Sequence, residues 1–336
     1  MRSHTSGITI LLLLFIFFTN EAIAQHIVLL QQGKPTSIRG LSVVNDKTAW
    51  ISGSNGYIAI TSDGGKTWQW RQIKGFEQAD FRDIEAFSNK EAVIMSSGTP
   101  ALILKTIDGG VNWQVKYRNT DTAYFLDAMD FDNPSHGFIL GDPIKNRFLL
   151  LETKNSGNTW NNYNNSPVAS ANEAAFAASG TCLRTINHTN IIVTGGAVSN
   201  VFVQVPNKDW YKTAIPITHG KSSQGAFSIA KGKNQLVIVG GNYQHDRRTD
   251  STVCYSNNRT NWKLAHTPPS GYQSCVEYIN ADTYLSTGTP GTNISTDGGK
   301  NWKQIDTLNF NVCRKAKHGN LVLLAGSNGK IAVFKL

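Results

Sequence analysis

Much that would announce a function is missing from this chain. Its 336 residues hold only four cysteines, Cys182, Cys254, Cys275 and Cys313. No two of them stand in a Cys-x-x-Cys spacing, so neither a disulfide framework nor a zinc ribbon is written into the sequence. Each lies in or beside an expected strand, so most of them read as buried thiols, and their disulfide state is left open by the sequence. His26, His136, His188, His219, His245, His266 and His318 are scattered, without a paired spacing on a shared element, and give no metal site. No Gly-x-Gly-x-x-Gly follows a strand and opens a helix, which excludes a Rossmann nucleotide site. Past residue 24 no segment sustains a 3.6-residue apolar period, and no apolar stretch is long enough to cross a bilayer. The expectation is no cofactor, no metal ligand set and no membrane span.

Acidic residues are also the minority. Thirty-two Lys and Arg stand against 23 Asp and Glu, a net charge of +9. That balance favours acidic partners such as anionic glycans, acidic protein faces or envelope surfaces. No basic cluster coincides with a nucleic-acid reading motif, so nucleic acid is not among the expected partners. The apolar run at 8–18 follows Arg2 and His4, is too short to span a membrane, and precedes the small residues of Ala22-Ile23-Ala24. Residues 1–24 therefore read as a secretory signal peptide, which places the mature chain, from near Gln25, in the periplasm or outside the cell. Cleavage removes one Arg and one Glu and leaves the net charge unchanged.

What the chain does have is one phrase repeated. Thr61-Ser62-Asp63-Gly64-Gly65-Lys66-Thr67-Trp68 returns as Thr106-Ile107-Asp108-Gly109-Gly110-Val111-Asn112-Trp113. It returns again as Thr153-Lys154-Asn155-Ser156-Gly157-Asn158-Thr159-Trp160 and as Ser295-Thr296-Asp297-Gly298-Gly299-Lys300-Asn301-Trp302, with worn copies ending at Trp210 and Trp262. A carboxylate that accepts several backbone N–H groups, a glycine free to take positive φ and a closing Trp make this a hairpin turn anchored in a core. Around it the order is constant: apolar alternating runs at 41–44, 48–52 and 57–61, the turn, then a short strand after Trp68. The same order recurs at 81–113, 125–160, 173–210, 225–262 and 275–302. The second strand ends on glycine in five units, at Ile51-Ser52-Gly53, Ile139-Leu140-Gly141, Val193-Thr194-Gly195, Ile238-Val239-Gly240 and Leu324-Ala325-Gly326.

Residues 311–336 hold three strands without the turn, and Ile27-Val28-Leu29-Leu30 near the start supplies the apolar strand they lack. Pairing the two ends in one sheet closes a ring and leaves few exposed edges. The expected fold is all-β, a seven-bladed β-propeller of four-stranded blades over residues 25–336, as one domain and a monomer.

The octets are similar to the Asp-box, or BNR repeat, Ser/Thr-x-Asp-x-Gly-x-Thr-Trp. With seven units and the apolar–Gly second strand, the mature chain resembles the photosystem II stability/assembly-factor family of exported β-propellers, some bacterial relatives of which are labelled oxidoreductase. The resemblance implies the fold, and a role in assembly through partner binding. Asp-boxes also occur in sialidases, so the motif alone does not choose an activity.

Four-stranded blades put the third-to-fourth-strand turns on one face. Asp63, Trp68, Asp108, Trp113, Asn155, Trp160, Asp297 and Trp302 are accordingly expected to be structural. A ligand site is expected on the opposite face. There Arg39 and Arg82 begin the innermost strands of consecutive blades, Glu173 is read at about the same place in the fourth, and Asp142 projects from Gly141-Asp142-Pro143. The longest loop, 242–250, adds Tyr243, His245, Arg247 and Arg248. Arginine forks suit carboxylate or sulfate, and the expected role is a non-catalytic, partner-binding propeller that holds a protein or an anionic glycan, for assembly or retention of an envelope complex. A sialidase-like hydrolase is the enzymatic alternative, assembled from Arg39, Arg82, Tyr243 or Tyr272, Glu173 and Asp142. It lacks the Arg-Ile-Pro that sialidases carry ahead of their first box, and seven units depart from their six-bladed plan. An oxidoreductase rests on the family label alone.

Overall fold

Short, alternating apolar runs with glycine at their ends form strands because branched and aromatic side chains pack well on a pleated surface while glycine opens the turns. The computed structural model describes residues 25–335, so the leader expected at 1–24 lies outside the described residues. The strands make seven antiparallel sheets around a central channel, each with a four-stranded blade. Blade 1 runs Ile38–Val43, Ala49–Gly53, Tyr57–Thr61 and Gln69–Gln72, and blade 2 runs Phe81–Ala86, Ala92–Ser96, Ala101–Thr106 and Gln114–Asn119. The innermost strands of blades 3 to 7 are Leu126–Asn133, Leu183–Ile186, Lys221–Lys231, Cys275–Asn280 and Val312–Lys315.

The ring closes as expected. His26–Gln31 is the outer strand of blade 7 and pairs antiparallel with Ile331–Lys335, His26 opposite Lys335 and Leu29 opposite Ala332.

The repeated turn holds the ring together in two directions. Within a blade it docks on the first hairpin, Gly64 N–H donating to Lys47 O and Gly109 N–H to Lys90 O, each at 2.9 Å. Both hairpins therefore share one face, here the turn face. Between blades its second glycine takes positive φ and meets the preceding blade. A Cβ on Gly110 (φ 75°) would lie 3.1 Å from both Ile58 and Trp50 of blade 1. Trp50 is fully buried in that seam among Ile58, Ile60, Phe81, Ile94 and Leu104, and Trp113 meets it edge-on, the ring centroids 6.4 Å apart. All four cysteines are buried free thiols.

Four innermost strands carry one extra residue at the same place. The pairing register skips Arg39, Arg82, Asp127 and Phe227 in blades 1, 2, 3 and 5. Such a bulge turns the extra side chain away from the ladder and re-aims it. These four residues ring the channel on the opposite face, called here the loop face.

Blade 4 corrects the expectation. Its innermost strand is Leu183–Ile186, not a run beginning at 173. Glu173–Ala174 pairs with Gly195–Gly196, which in turn pairs with Lys221–Lys231 of blade 5. Ala174-Ala175-Phe176-Ala177-Ala178-Ser179 is apolar enough to pass for a strand in a repeating β array but lacks a strand's alternation, and it crosses the channel mouth instead. Small residues let the backbone pass close to several blades at once: Ala178 O accepts from Arg39 of blade 1, Ser179 Oγ donates to Ser274 O beside blade 6, and Phe176 stacks on Phe227 of blade 5. Residues 173–181 form a plug.

Candidate partner-binding face and central channel

The turn carboxylates are fully engaged. Asp63 accepts from Thr67 N at 2.9 Å and Thr67 Oγ1 at 2.6 Å, and from Thr61 Oγ1 at 2.8 Å; the Thr67 hydroxyl and N–H hold its pKa down to about 2. Asp108 is likewise brought to about 2, first by the Asn112 N–H and then by its side-chain amide. Burial pushes Asp297 up, but hydrogen bonds from Asn301 outweigh it and the net shift is downward. Asn155 accepts Thr159 N at 2.9 Å in the same pattern. Trp68, Trp113 and Trp302 each donate their indole N–H to the second glycine's carbonyl, while Trp160 is buried edge-on to Phe131. The copy ending at Trp262 keeps the scheme: Asn258 Oδ1 accepts Asn261 N at 2.9 Å, and Arg259 takes the glycine's φ at 67°.

On the loop face the plug meets the expected arginines. Arg39 Nη1 donates to Ala178 O at 3.0 Å. Arg82 Nε pairs with Asp80 Oδ2 at 2.7 Å, and its guanidinium lies 5.9 Å from the Phe125 ring centroid. Burial, and then the like charge of Arg82, lower the pKa of Arg39; Tyr272 and Asp80 oppose this. Two guanidiniums thus stand within electrostatic reach, and the one carboxylate hydrogen-bonded here, Asp80, is bonded to Arg82 and not to Arg39. The other acids nearby are pushed toward their neutral form: Asp127 by burial and then by Asp142, and Asp142 by burial against the Ala175 N–H. Neither Asp127 oxygen has a hydrogen bond.

Beside the arginines lies a stack of rings. Phe176 and Phe227 are parallel at 3.9 Å, Tyr272 meets Phe227 edge-on at 4.8 Å, and Tyr243 closes the cluster 6.4 Å from Tyr272. Tyr243 remains 48% exposed. It sits in a short 3-10 turn, Tyr243–His245, capped by the Asn242 side chain, and the following Asp246 O accepts the Tyr272 N–H at 2.7 Å. His245, Arg247 and Arg248 are exposed on this loop, Arg248 paired with Asp250. The structure thus brings Arg39, Arg82, Tyr243 and Tyr272 to one patch.

Glu173 is not part of it. Its carboxylate is buried and fully occupied, accepting Ser170 N at 2.7 Å, Thr194 Oγ1 at 2.5 Å and Asn200 Nδ2 at 2.8 Å. Such a carboxylate pins the plug to blade 4, and burial under three donors keeps it away from any tyrosine of the patch.

Sequence reasoning missed the other end of the channel. A cavity of about 580 Å³ opens on the turn face between the ends of the innermost strands and reaches Asp83. Arg184 bridges it, Nη2 to Glu277 Oε2 at 3.3 Å and Nη1 to Asp130 Oδ1 at 3.8 Å, with Arg314 3.7 Å from the same Glu277 oxygen. Burial pushes Asp83 up to about 8 and raises Asp130 and Glu277 despite the guanidiniums. These groups form a network of ion pairs across the channel, in which Arg314 Nη1 makes no hydrogen bond among the described residues. Nearby, His136 and His188 both approach Asp132, and His136 Nε2 reaches Glu152 at 2.9 Å. Among the described residues no three such side chains converge to hold a metal ion, and the cluster ties blade 3 to blade 4.

A ring of seven four-stranded blades is a β-propeller. Residues 29–120, the first two blades with part of the closing strand, match the family described as photosynthesis system II assembly factor YCF48. Solved structures similar over nearly the whole chain include YCF48 bound to D1 peptide, at 16% identity, 94% of this chain, 96% of that one and a TM-score of 0.66. YCF48 from Cyanidioschyzon merolae gives 16%, 92%, 98% and 0.63. The selenomethionine-substituted virginiamycin B lyase from Staphylococcus aureus gives 12%, 93%, 99% and 0.66. No curated protein matches. The chain is a β-propeller resembling the photosystem II assembly-factor family. A lyase superposes as well as YCF48 does, so the structural likeness speaks for the fold and leaves the activity to the site.

Proposed function

We propose that the protein is an exported, non-catalytic propeller that captures an acidic segment of a partner protein on its loop face and assists assembly of an envelope complex. One observation carries this reading: Arg39 stands within electrostatic reach of Arg82 without an ion pair of its own among the described residues, Asp80 being bonded to Arg82, in a partly desolvated patch beside exposed Tyr243. Surplus guanidinium charge next to rigid aromatic rings is the composition of a binding hot spot, and a carboxylate supplied by a partner relieves the repulsion that burial intensifies. The YCF48 structure with a bound D1 peptide supports a peptide-binding role for a propeller of this kind. The leader-like residues 1–24 support export.

The test is capture from an envelope extract by the chain from Gln25 onward. Retention of a protein by the wild type and its loss in Arg39→Ala/Arg82→Ala, with an unchanged melting curve, is the expected result. Equal capture by the double variant overturns the site.

A further inference from the structure

The repeated turn contains its own control. In blades 1 and 2 the first, third and seventh side chains, the glycine backbone and the Trp carry its bonding, and the second and sixth side chains take no part in it. They are Ser62 and Lys66 in blade 1, Lys154 and Asn158 in blade 3, and Thr296 and Lys300 in blade 6. In blade 2 they are Ile107 and Val111, 67% and 61% exposed, and Val115 on the adjoining outer strand is 46% exposed. Val111 joins the turn through its backbone N–H alone, which donates to Asp108. The turn makes no demand for apolar side chains at either place, yet blade 2 exposes one at both, with a third, Val115, at the start of the outer strand that leaves the turn. Isolated exposed aliphatics need no explanation, whereas a cluster at a protruding tip marks a contact surface.

The tip is stiff. Asp108 accepts from Thr106 Oγ1, Val111 N and both donors of Asn112, Arg71 Nη1 donates to Gly109 O, and Trp113 is braced on Trp50. Docking such a wedge costs little ordering entropy. Around it stand Lys66 in the neighbouring turn, Lys90 in the hairpin on which the turn docks, and Lys116 next to Val115. None of the three has a carboxylate within ion-pair range among the described residues, and Glu91, the acid nearest in sequence to Lys90, is paired with Lys105 at 2.7 Å. Aliphatic tips ringed by unpaired lysines match the two layers of an anionic bilayer surface, acyl boundary below and phosphate above.

We propose that the blade 2 turn is a membrane-docking wedge, Ile107 and Val111 entering the interface of an anionic phospholipid bilayer while Lys66, Lys90 and Lys116 meet its headgroup phosphates. This surface lies on the face opposite Arg39 and Arg82 and stands independently of partner capture there.

Sedimentation with phosphatidylcholine vesicles, with and without phosphatidylglycerol, tests it. The wild-type chain from Gln25 binds the phosphatidylglycerol vesicles and is released by raised salt. Ile107→Ser/Val111→Asn, which takes the second residue of the blade 1 turn and the sixth of the blade 3 turn and leaves the charge unchanged, weakens that binding by on the order of tenfold or more. Lys66→Glu/Lys90→Glu/Lys116→Glu abolishes the preference for phosphatidylglycerol. Absence of wild-type binding, or equal binding by the Ile107/Val111 variant, overturns the proposal. So does a wild-type dimer in sedimentation equilibrium that the same variant dissolves without vesicles playing any part.

Discussion

Gly180 of the plug lies directly against Asp83 of blade 2: a Cβ at position 180 would fall 2.2 Å from Asp83 Oδ2, and the backbone there holds φ at 67°. The contact seals the channel, with the plug on one side and the charged cavity on the other. Gly180→Ala combines left-handed strain with a clash against a buried side chain, and a loss of about 2 kcal/mol or more is expected in urea unfolding. Gly33→Ala, at φ 95° with nothing within 4 Å, adds no clash and isolates the backbone part of the cost.

Asp83 also sets a pH dependence. Its folded pKa, about 8, stands above the unfolded value of about 3.9, so between these two values the folded state holds a proton that the unfolded chain has released. Stability from this group is fully present below pH 4 and is lost as pH rises toward 8. Asp127, Asp130, Asp142 and Glu277 are shifted the same way, while Asp63 and Asp108, near 2, lose stability as pH falls below 4. The melting temperature is expected to peak in the mildly acid range. Asp83→Asn should flatten the fall between pH 5 and 8, and an unchanged slope counts against a buried, protonated Asp83.

Removing the Glu173 carboxylate strands two donors. Glu173→Ala leaves Ser170 N and Asn200 Nδ2 without their acceptor, while Thr194 Oγ1 keeps Asn200 O, for an expected loss of about 3 kcal/mol, and Glu173→Gln recovers part of it. Thermal unfolding reads both.

The turns should tell an amide from a methyl. Asn155 and Asn258 already do in their blades what Asp63 does in blade 1, so Asp63→Asn should keep most of the melting temperature at pH 7. Asp63→Ala should lower it, and equal behaviour of the two variants would contradict the bracing role.

Tyr243 supplies a test on the loop face that leaves the core alone. Its ring is half exposed, so Tyr243→Ala should leave the melting curve nearly unchanged while reducing partner capture severalfold.

The architecture was legible because the turn repeats: one octet places a hairpin, its Trp and the seam to the preceding blade, and the unmatched strands at the two ends imply closure. Residues 173–181 were not legible. Alanines and one Phe are apolar enough to pass for a strand in a repeating β array, and only contacts with blades far away in sequence, such as Ala178 with Arg39, make them a plug. The same segment moved Glu173 out of the expected site and into the framework. The wheel of ionisable side chains Asp83, Asp130, Arg184, Glu277 and Arg314 left a weak trace, polar residues on innermost strands otherwise made of apolar and small ones. Its meaning needed blades 2, 3, 4, 6 and 7 in register. The conserved bonding at Asn258 was hidden because the copy is one residue short and Arg259 stands where glycine is expected.

The pairing of His26–Gln31 with Ile331–Lys335 joins the two most distant described strands in the chain. During synthesis the earliest of these strands to leave the ribosome has no partner until the latest has been made, and every state before that is an open arc. Contacts between neighbouring blades are local and form fast, whereas this closure carries the highest contact order in the molecule. The rate at which the protein reaches its final form should therefore be governed by the seam, and a chain cut and rejoined so that blade 7 is contiguous should refold faster without being reorganised anywhere else.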